Sequence, residues 1–210
     1  MEEINQDELE RRGNIIVEEF EGIFPLHEAF YIHSIIYSAG RANEAFLRYE
    51  TGLTTKADAG FVVSSVHEAL GHSAALSRFF WPSALGGKAR RSKLQLRQSR
   101  AEKLRKAFGL DETSALRCRG LRDALEHFDE RLDAFLLTND IGQFFPTPFI
   151  ESQELAEDAS VHIFKLVDPK TSCFVLLGEE YAFNAIRQST SDILRKAERM
   201  DRNGSRLFSD

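Results

Sequence analysis

The segment LRDALEHFDERLDAF, residues 121–135, carries the clearest periodic pattern in the chain. Its apolar residues recur at alternating intervals of four and three, the spacing of one face of an α-helix. They are Leu121, Leu125, Phe128, Leu132 and Phe135. The pattern predicts one continuous helix from about Glu112 to Leu137.

Three further helices are predicted before this segment. The first covers about residues 26–49 and is expected to end at Gly52, because glycine adopts the left-handed cap conformation at little cost. The second covers about residues 55–80 and the third about 88–108. The residues of the third helix expected to face inward are Leu94, Ala101, Leu104 and Phe108. Short connections between long helices favour antiparallel neighbours, so we expect a mainly α-helical, up-and-down bundle of four or five helices.

The composition changes after Asn139, where two prolines interrupt the helical pattern. Residues 139–160 are predicted to form an irregular connector. Residues 161–178 then read as a β-hairpin around the turn sequence DPKT, because Asp-Pro initiates turns and both arms are rich in β-branched and aromatic residues. A closing helix is predicted from about Tyr181 to Met200. The expected organisation is a bundle over 1–138, the connector, and a hairpin with a terminal helix over 161–210, all in one domain.

Bulk properties exclude several classes of protein. The net charge is −6, so only a local basic patch could attract nucleic acid. Two cysteines without paired spacing exclude a disulfide framework and fit a reducing compartment. The acidic start lacks the features of a secretory signal, and no apolar run is long enough to cross a bilayer. We therefore expect a cytoplasmic protein without a membrane segment.

No motif for a metal or cofactor is convincing. The sequence HEALGH, residues 67–72, resembles a zinc-protease motif, but its histidines are five positions apart instead of four. That spacing separates them by about 140° around a helix, so they cannot readily bind one ion. The chain also lacks a glycine-rich phosphate loop. We expect no metal and no cofactor, with the histidines of HEALGH in structural roles.

A basic segment stands out in this acidic protein. Nine basic residues and one acid lie between Lys88 and Lys106. One interpretation is a surface that follows an RNA phosphate backbone. Its candidate residues are Arg90, Arg91, Lys93, Arg97 and Arg100. The alternative is a solvated helix whose charges form ion pairs with neighbouring helices, including acids of the fourth helix.

The segment RDALEH, residues 122–127, combines groups suited to RNA cleavage without a metal. The imidazole of His127 can act as a general acid or base. Asp123, one helical turn earlier, can accept an imidazole N–H and fix its tautomer. The Arg122 guanidinium can neutralise charge that develops on phosphorus. These three residues are the candidate catalytic set.

RDALEH also resembles the R-polar-x-x-x-H motif of the HEPN superfamily, and the chain is similar to uncharacterised bacterial proteins of that type. The resemblance implies a helical bundle that forms a homodimer through the motif-bearing helix. It also implies a metal-independent endoribonuclease with Arg122 and His127 as catalytic residues and Asp123 at the polar position. Such proteins act as toxins or in phage defence, some with an antitoxin partner. The alternative is a catalytically silent relative that serves as an interaction or RNA-binding module.

Overall fold

The computed structural model describes residues 4–83 and 91–208. The described chain is mainly α-helical with a small C-terminal sheet region, which confirms the predicted fold class at that level. Seven α-helices lie in the described residues: α1 (Gln6–Phe20), α2 (Glu28–Thr55), α3 (Ala59–Phe80), α4 (Arg91–Phe108), α5 (Arg119–Glu126), α6 (Phe128–Thr138) and α7 (Asn184–Arg202).

The chain divides into two compact units, each assembled from segments distant in sequence. The first unit is drawn from Met1–Ser38, Ala75–Arg117 and Asp192–Asp210. The second is drawn from Ala39–Ala74 and Cys118–Ser191. Neither coincides with the predicted division at residues 138 and 160, because α2, α3 and α7 each contribute residues to both units.

In the first unit, α4 packs against α1 and the turn that follows it. The turn requires Gly22, whose φ of +86° favours glycine. An added Cβ there would lie 2.2 Å from the Arg100 backbone nitrogen of α4. Deeper in this unit, the buried rings of Phe80 and Phe108 meet edge to face at 5.4 Å. Close backbone approach and aromatic packing thus hold α4 in place.

Three details of the predicted helices differ from the structure. Helix α1 was not predicted, although Asn5 caps it by accepting a hydrogen bond from the Glu8 backbone N–H at 2.9 Å. Helix α2 does not end at Gly52, which is buried inside it; the left-handed residue that follows the helix is Lys56. Leu94 of α4 is exposed, whereas the other three residues expected to face inward are buried.

The prediction of one helix from Glu112 to Leu137 is wrong. A 3₁₀ turn (Ala115–Arg117) comes first, and two separate helices, α5 and α6, then meet at His127. His127 has φ −112° and ψ 37°, outside the helical range. No glycine or proline occurs between residues 121 and 138, so residue type did not signal this break.

The second unit contains six short strands in two sheets. They are β1 (Gln143–Phe145), β2 (Phe149–Ile150), β3 (Val161–Ile163), β4 (Lys165–Asp168), β5 (Cys173–Leu176) and β6 (Glu179–Ala182). One sheet pairs β1 with β3 in parallel. The other has the order β2-β4-β5-β6, with β2 parallel to β4 and the remaining pairs antiparallel.

The predicted hairpin is present as β4 and β5, joined through the DPKT turn. Its first arm is shorter than predicted, because the chain leaves β3 at Phe164 and enters the other sheet. The connector is not irregular throughout, since it contains β1, β2 and a 3₁₀ helix (Gln153–Glu157). The closing helix begins at Asn184, after β6, and not at Tyr181. Parallel pairing with the connector therefore gives the hairpin the neighbouring strand that it needs for stability.

Among the described residues, none of the helices combines the length and apolar character needed to cross a bilayer.

Candidate functional site

The predicted catalytic residues lie around the junction of α5 and α6. His127 ends the first helix and begins the second: its N–H donates to the Asp123 carbonyl at 3.0 Å, and its own carbonyl accepts from the Arg131 N–H at 3.0 Å. These two bonds connect both helices to His127, but His127 itself is not helical. The side chains before and after it therefore do not follow the stripes of one straight helix.

The Arg122 guanidinium is covered by the protein. Only 8% of its side chain is exposed, and Nε lies 4.0 Å from Asp123 Oδ1 and 4.0 Å from Glu126 Oε1. A cation that neutralises charge on phosphorus must contact the phosphate oxygens. In this conformation Arg122 faces carboxylates within the chain and not solvent.

The His127 imidazole has the opposite environment, because 57% of its side chain is exposed. Its Nδ1 lies 3.5 Å from Glu130 Oε2 on the next helical turn. The carboxylate near the imidazole is thus Glu130, whereas the Asp123 carboxylate is the one near Arg122. The structure separates the three predicted residues into a covered guanidinium and an exposed imidazole, each beside acids.

An apolar groove beside this junction was not predicted from the sequence. It has a volume of about 260 Å³ and is lined on the helical side by Ala124, Ala134 and Phe135. Leu176 and Leu177 line it from the sheet. The pairing of α6 with the end of β5 is a tertiary contact, so no local pattern could indicate it.

One ion pair closes the rim of this groove. Arg131 Nη1 of α6 lies 2.8 Å from Glu179 Oε2 of β6. The Tyr181 hydroxyl donates to the same carboxylate. Burial raises the pKa of Tyr181, and the neighbouring Glu179 charge adds to that effect. The phenol therefore stays neutral and remains a donor, which keeps Glu179 in place beside Arg131.

The last turn of α6 and the loop that follows it present apolar residues to solvent. Leu137 is 86% exposed and Ile141 is 82% exposed. His162 of β3 holds this loop by a hydrogen bond between its Nε2 and the Ile141 carbonyl at 2.8 Å. Gly142 follows with φ +140°, and an added Cβ there would lie 2.5 Å from that Nε2. The loop therefore has a defined backbone although its side chains are uncovered.

The candidate RNA-binding residues belong to the first unit. Arg90 lies outside the described residues; Arg91 begins α4, but its side chain also lies outside them. Lys93 is exposed and Arg97 is half-buried. Arg100 places its guanidinium carbon 5.8 Å from the centre of the Tyr31 ring. The structure thus leaves part of this basic set at the surface and uses Arg100 in packing.

Further along α4, Lys103 has a structural role. Its Nζ lies 3.0 Å from Glu28 Oε1, and it donates to the carbonyls of Phe20 and Ile23. Its carboxylate partner belongs to α2 and not to the fourth predicted helix. The basic segment therefore combines exposed charges with ion pairing inside the first unit.

HEALGH lies within α3. His67 has its ring centre 5.8 Å from that of Phe174, and burial, together with the nearby Lys165 ammonium, lowers the pKa of His67 to about 4. Glu68 Oε2 lies 2.5 Å from Arg48 Nη2, and Glu68 Oε1 lies 3.8 Å from His72 Nε2. Among residues 4–83 and 91–208, no group of three potential metal-binding side chains comes together.

Comparison of the chain with protein-family models, curated proteins and solved structures finds no match. The HEPN hypothesis therefore depends on the RDALEH segment and on the helical character of the chain.

Proposed function

We propose that this chain is a HEPN-like helical protein that acts by binding another protein and is catalytically silent. The observation that supports this proposal is the covered position of Arg122, with 8% of its side chain exposed beside two carboxylates. In this position the guanidinium is directed at carboxylates of its own chain and does not contact a phosphodiester at the surface. The exposed imidazole alone supplies no electrostatic stabilisation of a phosphorane.

The charges around the junction also favour a protein partner over RNA. Five acids and one arginine lie between residues 126 and 140: Glu126, Asp129, Glu130, Asp133 and Asp140 against Arg131. The arginine is paired with Glu179. A polyanion approaching this surface meets like charge, which costs binding free energy. Such a face suits a partner with basic residues, an antitoxin-like protein among the possible biological sources.

A test of the proposal is expression of the wild type and of His127→Ala in bacteria, with growth and total RNA followed over time. His127 is exposed, so its removal should leave the fold intact. We expect unchanged growth and intact RNA for both proteins. RNA loss that depends on His127 would overturn the silent assignment.

The exposure of His127 favours a second candidate, a metal-independent endoribonuclease of the toxin or phage-defence type. In a homodimer, two imidazoles would act as base and acid: one removes the 2′-hydroxyl proton, the 2′-oxygen attacks phosphorus, and the other protonates the departing 5′-oxygen. The products are a 2′,3′-cyclic phosphate and a 5′-hydroxyl. Arg122 would first have to turn away from Asp123 and Glu126.

Purified protein distinguishes the two candidates. The enzyme would cleave single-stranded RNA in the presence of EDTA, with loss of activity in both Arg122→Lys and His127→Ala. If the protein is catalytically silent, the RNA stays intact at every protein concentration.

A further inference from the structure

Helix α6 and the loop after it carry uncovered apolar side chains. Helix α6 has no buried residue. The exposed residues of this segment form what we call the apolar ridge: Leu136, Leu137, Ile141 and Phe144. Single exposed leucines are ordinary, but four large apolar residues within nine positions indicate a binding surface.

The apolar ridge is held in a defined conformation before any partner arrives. The hydrogen bond from His162 fixes the Ile141 carbonyl, and the ring of Phe144 lies 4.7 Å from that of His162. Gly142 gives the loop its turn with φ +140°. A preorganised surface loses little conformational entropy on binding, which favours affinity.

The groove beside the ridge has the size of a receptor for side chains. Its volume of about 260 Å³ is below the range of about 300–1,000 Å³ that is typical of small-molecule sites. It lies between α6 and the ends of β5 and β6; most of its lining residues are apolar, and Arg131, Thr138 and Glu179 add polar groups. Leu137 follows Ala134 of the groove by one helical turn, so a helix laid along α6 could insert one or two apolar side chains here while its neighbours cover Leu137.

The charges near the ridge and groove favour one kind of partner over the others. Asp133 precedes Leu137 by one turn of α6, Asp140 is next to Ile141 in the chain, and Glu179 lines the groove beside its partner Arg131. A second copy docking through this same face would place like charges opposite one another. RNA would meet the same repulsion. A chain with lysine and arginine beside its apolar residues would instead form ion pairs around a desolvated centre.

We infer that the apolar ridge and its groove bind a cationic amphipathic helix of a partner protein. The inference rests on the proposed function and names its binding surface and the chemistry of its partner. The anchors are Leu137 and Ile141, whose side chains are almost fully available. The carboxylates around them set the sign of charge on the partner.

The test uses the full chain and a labelled peptide of about 18 residues, made of leucine and lysine with the leucines at helical spacing. Two further peptides are controls: one with the same composition in an order that destroys the apolar face, and one with glutamate in place of lysine. Binding is followed by fluorescence anisotropy. The ridge variant is Leu137→Ser with Ile141→Ser, and the matched control is Leu47→Ser, another exposed leucine in the second unit.

We expect the wild type and Leu47→Ser to bind the amphipathic cationic peptide equally. The ridge variant should bind at least about tenfold more weakly, because two apolar anchors are lost. Both control peptides should bind more weakly than the amphipathic cation, and added salt should weaken its binding. Circular dichroism should show the same helix content in all three proteins.

Several results would overturn the inference. The first is that the wild type does not bind the amphipathic cationic peptide. The second is that the wild type and the ridge variant bind this peptide equally. The third is that the wild type binds the reordered peptide or the glutamate peptide as tightly as the amphipathic cationic one. A wild-type dimer that the ridge variant dissociates would assign the face to a second copy, and displacement of the peptide by an RNA oligonucleotide would assign it to RNA. RNA cleavage that depends on His127 would overturn the proposed function but not the peptide-binding surface, because that surface is tested separately with the ridge variant.

Discussion

Lys103→Met is expected to destabilise the protein strongly although it removes only one charge from a highly charged helix. The Lys103 side chain is 17% exposed and that of its partner Glu28 is 9% exposed. The Lys103 ammonium makes three contacts: Glu28 Oε1 at 3.0 Å, the Phe20 carbonyl at 3.2 Å and the Ile23 carbonyl at 3.1 Å. Methionine retains the aliphatic stem and removes all three polar contacts.

The magnitude follows from what the substitution leaves behind. Breaking a buried ion pair by removal of one partner costs about 3–5 kcal/mol, because the other charge stays desolvated. Glu28 retains the Leu207 N–H at 3.1 Å and Arg206 at 3.7 Å. This remaining compensation places the loss at the lower end, about 3 kcal/mol. For a chain of this length, that corresponds to a fall of about 6–12 °C in Tm.

The assay is urea unfolding followed by circular dichroism, with Lys106→Met as the matched control. Lys106 is an exposed lysine on the same helix, so its substitution should change the free energy of unfolding by less than about 0.5 kcal/mol. Combining Lys103→Met with Glu28→Gln should cost at least about 1 kcal/mol less than the sum of the single changes. Equal stabilities of the Lys103 and Lys106 variants would refute the reasoning and would assign Lys103 to the exposed basic surface.

Two further predictions concern backbone approach and pH. Gly22→Ala should destabilise the protein by at least about 2 kcal/mol in urea unfolding, since its Cβ would meet the α4 backbone at a positive φ; Gly13→Ala, inside α1 with open space around an added Cβ, should stabilise it by about 0.5–1 kcal/mol. Equal changes in the free energy of unfolding for Gly22→Ala and Gly13→Ala would contradict the close approach of Gly22 to α4. Because the pKa of His67 is lowered to about 4, the unfolded chain takes up a proton first as the pH falls below about 6.5, and this contribution to stability is lost towards pH 4. After allowance for partial exposure, the free energy of unfolding of the wild type should fall by about 1–2 kcal/mol more than that of His67→Gln between pH 7 and pH 5. Parallel pH profiles of the two proteins would exclude this contribution of His67.

Local patterns in the amino-acid sequence were sufficient for helices α2, α3, α4 and α7 and for the hairpin turn. The apolar spacing around Ile32, Ile35, Ala39 and Ala42 predicted α2, and each of these residues is buried. Asp168 at the DPKT turn accepts the Lys170 N–H at 2.8 Å, as expected of an aspartate that initiates a turn. Such features depend on neighbours within a few residues, so the order of residue types carries them.

The candidate site depended on contacts that no local pattern carries. The break at His127 and the covered position of Arg122 arise where α5 and α6 pack within the second unit, and periodicity treated that segment as one straight helix. The parallel pairings of β1 with β3 and of β2 with β4 join strands that are many residues apart. Periodicity assigns a side chain to a face of its own element, whereas burial and groove formation depend on which distant element covers that face. Residue types therefore sufficed to propose an arginine and a histidine near a phosphate, but tertiary packing determines that one is enclosed and the other is open to solvent.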